Sequence, residues 1–126
     1  MKDEAKQLVV IDDDAAICGM VRRNLRGTGW EVTSFENELE GLEYLTSHEP
    51  NVLLIDIRMP RMDGDQILEE LRAANKLFSR TRVLVTSSVP PPSAIWRNFE
   101  KFAARFILKD VVVSKTKLLA SIDSPN

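Results

Sequence analysis

Residues 8–14 read LVVIDDD, and residues 52–56 read VLLID. In both stretches an apolar run of β-branched and leucine residues, typical of a buried parallel strand, ends in aspartate. In an open parallel α/β sheet, functional groups lie just beyond the carboxyl ends of the strands, where the strand order reverses. We therefore expect Asp12, Asp13 and Asp56 to line one acidic pocket. Such a pocket, without histidine or cysteine, favours hard cations such as Mg²⁺.

Length and composition indicate one ordinary globular domain. The chain has 126 residues, of which 44% are hydrophobic and 29% charged, which is enough for a single core. A formal net charge of −2 argues against direct nucleic-acid binding, and Cys18, the one cysteine, excludes an internal disulfide framework. Residues 1–7 are polar, unlike a signal peptide, and no apolar stretch approaches the roughly 18 residues that span a bilayer. We therefore expect a cytoplasmic protein that does not enter a membrane.

Strand and helix patterns alternate five times along the chain. One predicted strand, Trp30–Ser34, alternates apolar and polar residues and suits a sheet edge, whereas the other four are more continuously apolar and suit the interior. Those four are Leu8–Ile11, Val52–Ile55, Arg82–Val85 and Phe106–Leu108. Apolar residues at helical spacing predict a helix after each strand. They are Ile17, Met20, Val21 and Leu25; Leu39, Leu42 and Leu45; Ile67, Leu68 and Leu71; Ile95, Phe99, Phe102 and Ala103; and Leu118, Leu119 and Ile122. This alternation predicts an α/β fold with a parallel sheet covered by helices on both faces.

Two more polar residues directly follow predicted strands. Thr86 comes after the fourth strand, with Ser87 next to it, and Lys109 comes after the fifth. A polar residue after a strand is commonplace by itself. Four strands that end in Asp-Asp, Asp, Thr and Lys would nevertheless bring all of these side chains to one rim of the sheet. A shift of one residue in the fourth strand would put Ser87 in the place of Thr86.

This ordered set resembles the receiver domain of two-component response regulators. The matching segments read VIDDD at residues 10–14, DIRMPRMDG at residues 56–64, VTS at residues 85–87 and FILK at residues 106–109. The segment from aspartate to glycine is highly specific. The match covers essentially the whole chain, so we expect residues 1–126 to be a single receiver domain, with a core of about residues 7–122 and no output domain. The resemblance implies a flavodoxin-like (βα)5 doubly wound parallel sheet in strand order 2-1-3-4-5.

The resemblance also implies a phospho-acceptor site. Asp56 is the expected nucleophile, which takes the phosphoryl group of a phosphohistidine and forms an aspartyl phosphate. Mg²⁺ is expected on Asp13 and Asp56, on the backbone carbonyl of Arg58 and on waters, some of them ordered by Asp12. The ion would reverse the local field of the carboxylates, which repels an incoming phosphoryl group. The expected phosphodonor is a sensor histidine kinase or a phosphotransfer protein. The domain would be a signalling switch that catalyses only its own phosphorylation and dephosphorylation, not a turnover enzyme.

A switch is part of the same resemblance. Lys109 would place its ammonium on the phosphoryl oxygens, and Thr86 would donate its hydroxyl to one of them once the phosphate is present. An aromatic residue on the fifth strand, here Phe106, then rotates, although from the residue alone Phe106 is better explained as a core aromatic. The surface of the fourth helix, fifth strand and fifth helix would change. It would act on an output domain, a separate protein or a second copy of the chain in a homodimer.

The chain departs from the family pattern in two places. Asp110 follows Lys109, where receivers usually have a proline, often after a cis bond. A cis bond before a residue other than proline costs about 3–4 kcal/mol, so we predict a trans bond here. Residues 89–92 read VPPP; these prolines hold the loop extended and delay the fourth helix until about Ser93, the expected N-cap. We therefore expect this loop to be stiffer and the switch to be damped.

Some residues have simpler explanations than a role in the site. Asp14 is expected to cap the first helix rather than to bind the metal. Cys18 is expected to be a small core residue, and no chemical role is expected for His48. Trp96 suits a partner contact on the fourth helix and a cover over the sheet equally well.

Three other functions compete with the receiver hypothesis. A phosphatase of the haloacid-dehalogenase type needs a second acid two residues after the nucleophile, where this chain has Arg58. A flavin-binding flavodoxin module needs a phosphate loop rich in serine, threonine and glycine, whereas the acidic residues 12–14 would repel a phosphate. The remaining alternative is a receiver-like module that acts by protein contact without phosphorylation. The complete set of acids, threonine and lysine argues against it.

Overall fold

The computed structural model describes residues 6–76 and 80–123. The first five residues of the polar N-terminal segment lie outside this range. The strands are β1 (Lys6–Ile11), β2 (Trp30–Phe35), β3 (Val52–Asp56), β4 (Arg82–Ser87) and β5 (Arg105–Leu108). The helices are α1 (Ala15–Leu25), α2 (Glu38–Leu45), α3 (Gly64–Ala73), α4 (Ser93–Glu100) and α5 (Lys115–Asp123), with a 3₁₀ helix at Lys109–Val113. None of the helices in the described ranges combines the length and hydropathy that crossing a bilayer requires.

The strands form one parallel sheet in the order β2-β1-β3-β4-β5. The chain winds outward from β1 to β2 and then returns past β1 to β3, so the winding reverses between β1 and β3. The crevice beyond the carboxyl ends of these two strands is where such folds place their functional groups. Ile11 pairs with Ile55 in this register, and Asp56 pairs with Thr86. The predicted flavodoxin-like (βα)5 fold is confirmed.

The two edges of the sheet differ from its interior in burial. All of β3 is buried, as expected for a central strand, and β2 lies at one edge as predicted, with only Trp30 buried. The apolar pattern of the fifth strand suggested an interior position and was misleading, because β5 forms the opposite edge, as the predicted strand order requires, and only Ile107 is buried there. Its apolar residues are covered by helices instead of a further strand: Phe106 contacts Trp96 of α4, and Ile107 packs in the same cluster as Val112.

The alternation of side chains along the strands builds two cores. On one face Val10 and Leu54 pack with apolar residues of α1 and α5. On the other face Val9 and Leu53 pack with residues of α2, α3 and α4, including the fully buried Phe99. Because successive residues of a strand point to opposite faces, the continuously apolar runs supply both cores at once.

Capping residues set the N-terminal ends of two helices near the crevice. Asp14 is the N-cap of α1 and accepts a hydrogen bond from the Ala16 amide at 2.9 Å, so the expected capping role is confirmed. Asp63 precedes α3, and its amide donates to Gln66 Oε1 at 2.7 Å. These caps fix the start of α1, which follows β1 after residues 12–14, and the start of α3, at the end of the loop that follows β3.

The fourth helix differs from its predicted bounds. Ser93 is its first residue rather than its N-cap, because the Pro92 carbonyl already accepts the amides of Ile95 and Trp96, each at 3.0 Å. The helix ends at Glu100, so Phe102 and Ala103 lie outside it. Ala103 has a φ of 54°, which reverses the chain toward β5 and is incompatible with a continuing α-helix.

The peptide bond between Lys109 and Asp110 is trans, as predicted, and none of the peptide bonds in the described ranges is cis. The 3₁₀ helix begins at this point, and Val112 within it is fully buried. The Asn24 side chain of α1 donates to the Val112 carbonyl at 2.5 Å. The core and α1 therefore anchor the segment that carries Lys109 in the absence of the family's proline.

Candidate functional site

Three aspartates converge at the carboxyl ends of β1 and β3. Asp12 and Asp13 follow β1, and Asp56 is the last residue of β3. One carboxylate oxygen from each lies within 4.8 Å of the others. Asp12 and Asp56 are buried, whereas Asp13 is exposed at the rim. The predicted acidic pocket is therefore present, because pairing of β1 with β3 brings together side chains more than 40 residues apart.

Lys109 extends over this acidic group from the far edge of the sheet. Its Nζ lies 3.2 Å from Asp56 Oδ2 and 3.2 Å from Asp12 Oδ2. The lysine side chain is only 18% exposed, so its charge acts in a partly water-excluded environment. One ammonium group thus forms ion pairs with two buried carboxylates.

The site carries unbalanced negative charge. Burial and, after it, the neighbouring charge of Asp12 raise the pKa of Asp56 to about 6, although Lys109 acts in the opposite direction. The pKa of Asp12 is also raised, chiefly by burial. Burial alone would lower the pKa of Lys109, but the charges of Asp12 and Asp56 outweigh it and raise that pKa. An additional cation would relieve these unfavourable charges.

The donor set fits a hard divalent cation. Asp12 Oδ2 is buried and accepts no hydrogen bond from any residue in the described ranges, although Lys109 Nζ is near it. A buried carboxylate oxygen without a hydrogen-bond donor is costly unless an ion or water meets it. Carboxylate oxygens from Asp12, Asp13 and Asp56 are the ligands that Mg²⁺ prefers.

A cavity of about 270 Å³ opens beside Asp56. One wall is the proline segment 90–92, and Ile95, Arg58 and Lys109 complete much of the rest. Ser87 and Ser88 also line it. The three prolines that set this chain apart therefore line the same cavity as Asp56 and Lys109.

The structure places Thr86 and Ser87 differently. Thr86 is 2% exposed and is the register partner of Asp56, and its carbonyl accepts the Ile57 amide at 3.1 Å. Ser87 is half-buried and lines the cavity. The strand register therefore places Thr86, and not Ser87, beside Asp56 on the neighbouring strand. Ser87 lies at the cavity wall, where it supplies a second hydroxyl group.

Phe106 and Trp96 form part of one aromatic cluster. The Trp96 ring stacks on Phe99 with centroids 5.6 Å apart and meets the edge of Phe106 at 6.0 Å. Trp96 and Phe106 are half-buried and line a groove together with Pro91. Trp96 thus packs on Phe99, which belongs to the core on that face of the sheet, while part of the Trp96 ring stays accessible.

Two contacts next to the site have no counterpart among the features predicted from the sequence. Glu38, the first residue of α2, is fully buried and accepts the amides of Arg61 and Met62 in the loop after β3. A glutamate in the first turn of a helix usually indicates only a favourable dipole interaction, so the sequence offered no signal for its burial. Gly64, the first residue of α3, lies against the backbone of Asp56.

Comparison with known proteins agrees with this geometry. The family model for the response regulator receiver domain matches residues 8–123. Over 69 residues the chain is 49% identical to the DNA-binding transcriptional regulator NtrC of Escherichia coli K12. That match covers 55% of this chain and 15% of the relative, so this chain spans a small part of that protein's length.

Solved structures show the same architecture. A CheY-like receiver domain from Methanospirillum hungatei JF-1 is 27% identical with a TM-score of 0.81, covering 94% of this chain and 91% of that one. The receiver domain of a NarL response regulator from Mycobacterium tuberculosis is 31% identical with a TM-score of 0.77, covering 95% and 94% of the two chains. Family model, fold and site residues thus agree, and this chain belongs to the response regulator receiver domain family.

Proposed function

We propose that this domain accepts a phosphoryl group on Asp56 from the phosphohistidine of a sensor histidine kinase or phosphotransfer protein. The observation that carries the proposal is the convergence of Asp12, Asp13 and Asp56 within 4.8 Å, with Lys109 Nζ 3.2 Å from Asp56 Oδ2. A nucleophilic carboxylate, a set of hard ligands and one fixed cation are the groups that phosphoryl transfer to aspartate requires.

The transfer is a displacement at phosphorus. An Asp56 oxygen forms a bond to phosphorus as the bond to the histidine nitrogen breaks, and the imidazole leaves with the electron pair and takes up a proton. Lys109 stabilises the negative charge on the phosphoryl oxygens from its position beside Asp56. Because the ammonium already touches the acceptor carboxylate, it needs little movement to follow the transferred group.

The residues present fit Mg²⁺, which when bound supplies positive charge to the phosphoryl oxygens. Asp13 and Asp56 would hold it directly, together with the Arg58 carbonyl and waters, some of them ordered by Asp12. The buried Asp12 Oδ2, which lacks a hydrogen bond, supports this assignment. Arg58 lines the cavity next to Asp56, which agrees with a ligand from its backbone.

Phosphorylation would then act as a switch rather than as one step of a turnover enzyme. The new phosphoryl oxygens would attract the Thr86 hydroxyl, while the prolines of the β4–α4 segment would limit how far that segment follows. Phe106 and the surface of α4, β5 and α5 would pass the change to an output domain, another protein or a second copy of this chain. We propose that this happens in the cytoplasm, without direct nucleic-acid contact by this domain.

The decisive experiment is incubation with Mg²⁺ and acetyl phosphate, followed by intact-mass analysis. We expect one phosphoryl adduct that is labile to base and to hydroxylamine, as an acyl phosphate is. Asp56→Ala should form none. Asp14→Asn is the matched control, because it changes a neighbouring aspartate but keeps a good helix N-cap.

Each result has a clear consequence. Absence of an adduct in the unsubstituted protein at saturating Mg²⁺ would contradict the proposal and favour a module that acts by protein contact alone. An adduct that persists in Asp56→Ala would move the acceptor to another residue.

A further inference from the structure

The loop between β3 and α3 depends on a carboxylate from another helix. Glu38 Oε2 accepts the Arg61 amide at 2.5 Å and the Met62 amide at 3.0 Å, and Glu38 Oε1 accepts the Arg61 guanidinium at 3.0 Å. The Glu38 side chain is fully buried, whereas that of Arg61 is half-exposed. A buried carboxylate is tolerated only with several donors, and here two of the three are backbone groups of one loop.

Glu38 is itself held on a rigid support. The Asn37 side chain caps α2 by accepting the amides of Leu39 and Glu40, which fixes the first turn that contains Glu38. One turn later, a Cβ on Gly41 would lie 2.6 Å from Ile11 Cδ1. Helix α2 therefore packs directly on β1, the strand that leads to Asp12.

The loop that Glu38 holds is the one that carries Arg58. Arg58 lines the cavity with Asp56. The buried Met59 anchors the loop in the core on one side, and Pro60 follows with a fixed φ. Beyond Pro60, the amides of Arg61 and Met62 bond to Glu38. Because Met59 and Pro60 form a stiff connection, a displacement of the backbone at residues 61–62 should also displace the backbone of Arg58.

We propose that Glu38 is a positioning residue of the phospho-acceptor site, which holds the β3–α3 loop so that the Arg58 carbonyl can serve as a Mg²⁺ ligand. The inference rests on the proposed function and adds a residue outside the acid, threonine and lysine set. It also gives a reason for the burial of the Glu38 carboxylate, because the start of helix α2 would form equally well with an exposed residue at this position. Burial alone would raise the pKa of Glu38, but hydrogen bonds, chiefly from the Met62 and Arg61 amides, outweigh it and lower that pKa, which keeps Glu38 an acceptor for both amides.

The test compares Glu38→Ala and Glu38→Gln with the unsubstituted protein. Mg²⁺ binding is measured by calorimetry without a phosphodonor, and adduct formation with acetyl phosphate is measured by mass over a series of Mg²⁺ concentrations. Removal of a group that orients a metal ligand lowers metal affinity about 10- to 100-fold. We expect at least a tenfold higher Mg²⁺ dissociation constant for Glu38→Ala. For Glu38→Gln, which keeps a neutral acceptor, we expect an increase of about threefold.

A second readout separates positioning from loss of structure. At saturating Mg²⁺ the rate of adduct formation by Glu38→Ala should return to within about twofold of the unsubstituted rate, because the defect lies in metal affinity. Hydrogen exchange should be faster at the Arg61 and Met62 amides in both variants. Glu40→Ala is the matched control, since it removes an exposed carboxylate from the same first turn, and it should leave Mg²⁺ binding unchanged.

Arg61→Ala identifies which contact matters. It removes the ion pair but leaves the backbone amides bonded to Glu38, so we expect a dissociation constant within about twofold of the unsubstituted value. Unchanged Mg²⁺ affinity in folded Glu38→Ala would overturn the inference. If that variant does not fold, Glu38→Gln decides, and an unchanged dissociation constant there overturns it. Failure of the unsubstituted protein to form an adduct would instead contradict the proposed function.

Discussion

Gly64 lies so close to Asp56 that a Cβ at position 64 would be 2.5 Å from the Asp56 carbonyl oxygen. Its own amide donates to the Ile57 carbonyl at 2.8 Å. The start of α3 is thus pressed against the backbone of the acceptor residue, and only glycine leaves room for it. The Asp-Gly pair after β3 has a packing role in the site as well as a role in starting the helix.

Gly64→Ala should destabilise the fold and impair the site. The added methyl group meets a backbone atom, which cannot rotate away, and overpacking of this kind costs about 1–3 kcal/mol. We expect a lower free energy of unfolding in urea and slower adduct formation with acetyl phosphate. Gly19→Ala in α1 is the control: its Cβ meets the flexible ends of Arg23 at 3.3 Å and of Arg22 at 3.9 Å, so it should stabilise by about 0.5–1 kcal/mol. Equal effects of the two substitutions would contradict the steric argument.

Lys109→Met should strengthen Mg²⁺ binding and weaken phosphorylation. Lys109 Nζ lies 3.2 Å from oxygens of both Asp12 and Asp56, so its charge opposes an incoming cation. Loss of the lysine should lower the Mg²⁺ dissociation constant about threefold to tenfold, measured by calorimetry. Adduct formation should fall at least tenfold even at saturating Mg²⁺, because the charge beside the phosphoryl group is gone. Weaker Mg²⁺ binding in this variant would argue that Lys109 supports the site only structurally.

Separate substitutions of Thr86 and Ser87 should show which of the two hydroxyl groups operates the switch. Thr86 is the register partner of Asp56, whereas Ser87 lines the cavity. Thr86→Val keeps the buried shape and removes the hydroxyl. We expect the adduct to form in this variant while amide chemical shifts of α4 and β5 change little on phosphorylation. Ser87→Ala should retain those shift changes, and the reverse pattern would assign the switch to Ser87.

The metal-free protein should lose stability as the pH rises from about 4 to 6. The pKa of Asp56 is raised from 3.8 to about 6 in the fold, so in this interval the folded state binds more protons than the unfolded state. The free energy of unfolding then falls with increasing pH, by up to about 3 kcal/mol for this group. Asp12 acts in the same direction, while Glu38, whose pKa is lowered, opposes it.

This dependence can be measured by urea unfolding in EDTA across the pH range. Asp56→Asn should flatten the profile, and addition of Mg²⁺ should reverse its slope because the ion favours the ionised carboxylates. A profile that is the same with and without the Asp56 carboxyl would contradict the assignment.

The proline loop should respond weakly to phosphorylation. Residues 90–92 form a wall of the cavity, and their fixed φ angles limit the conformations the segment can adopt. We expect hydrogen exchange at Ser88, Val89, Ile95 and Trp96 to change little when a phosphoryl mimic binds. Pro91→Ala should enlarge the change by loosening the segment. Strong new protection of residues 87–96 in the unsubstituted protein would contradict a damped loop.

The apolar runs that end in aspartate predicted both the sheet and the acidic pocket, because a buried strand and the side chain at its end can be recognised from a few consecutive residues. A continuous apolar run is typical of a strand buried on both faces, and Asp12 and Asp56 follow such runs directly. The same local signal misplaced β5, since an apolar run does not tell whether strands or helices cover it. It also missed the reversal at Ala103, whose φ depends on how α4 must turn into β5.

Tertiary structure decided the contacts between distant segments. The sequence alone determined that this is an α/β domain with an acidic rim, a capping Asp14 and a motif specific to receivers. It did not determine that Glu38 is buried beneath the β3–α3 loop or that Gly64 lies on the Asp56 carbonyl. A surface glutamate and a buried one have the same sequence signature in the first turn of a helix. Only packing of α2 against β1 and the loop excludes water from Glu38 and leaves backbone amides as its partners.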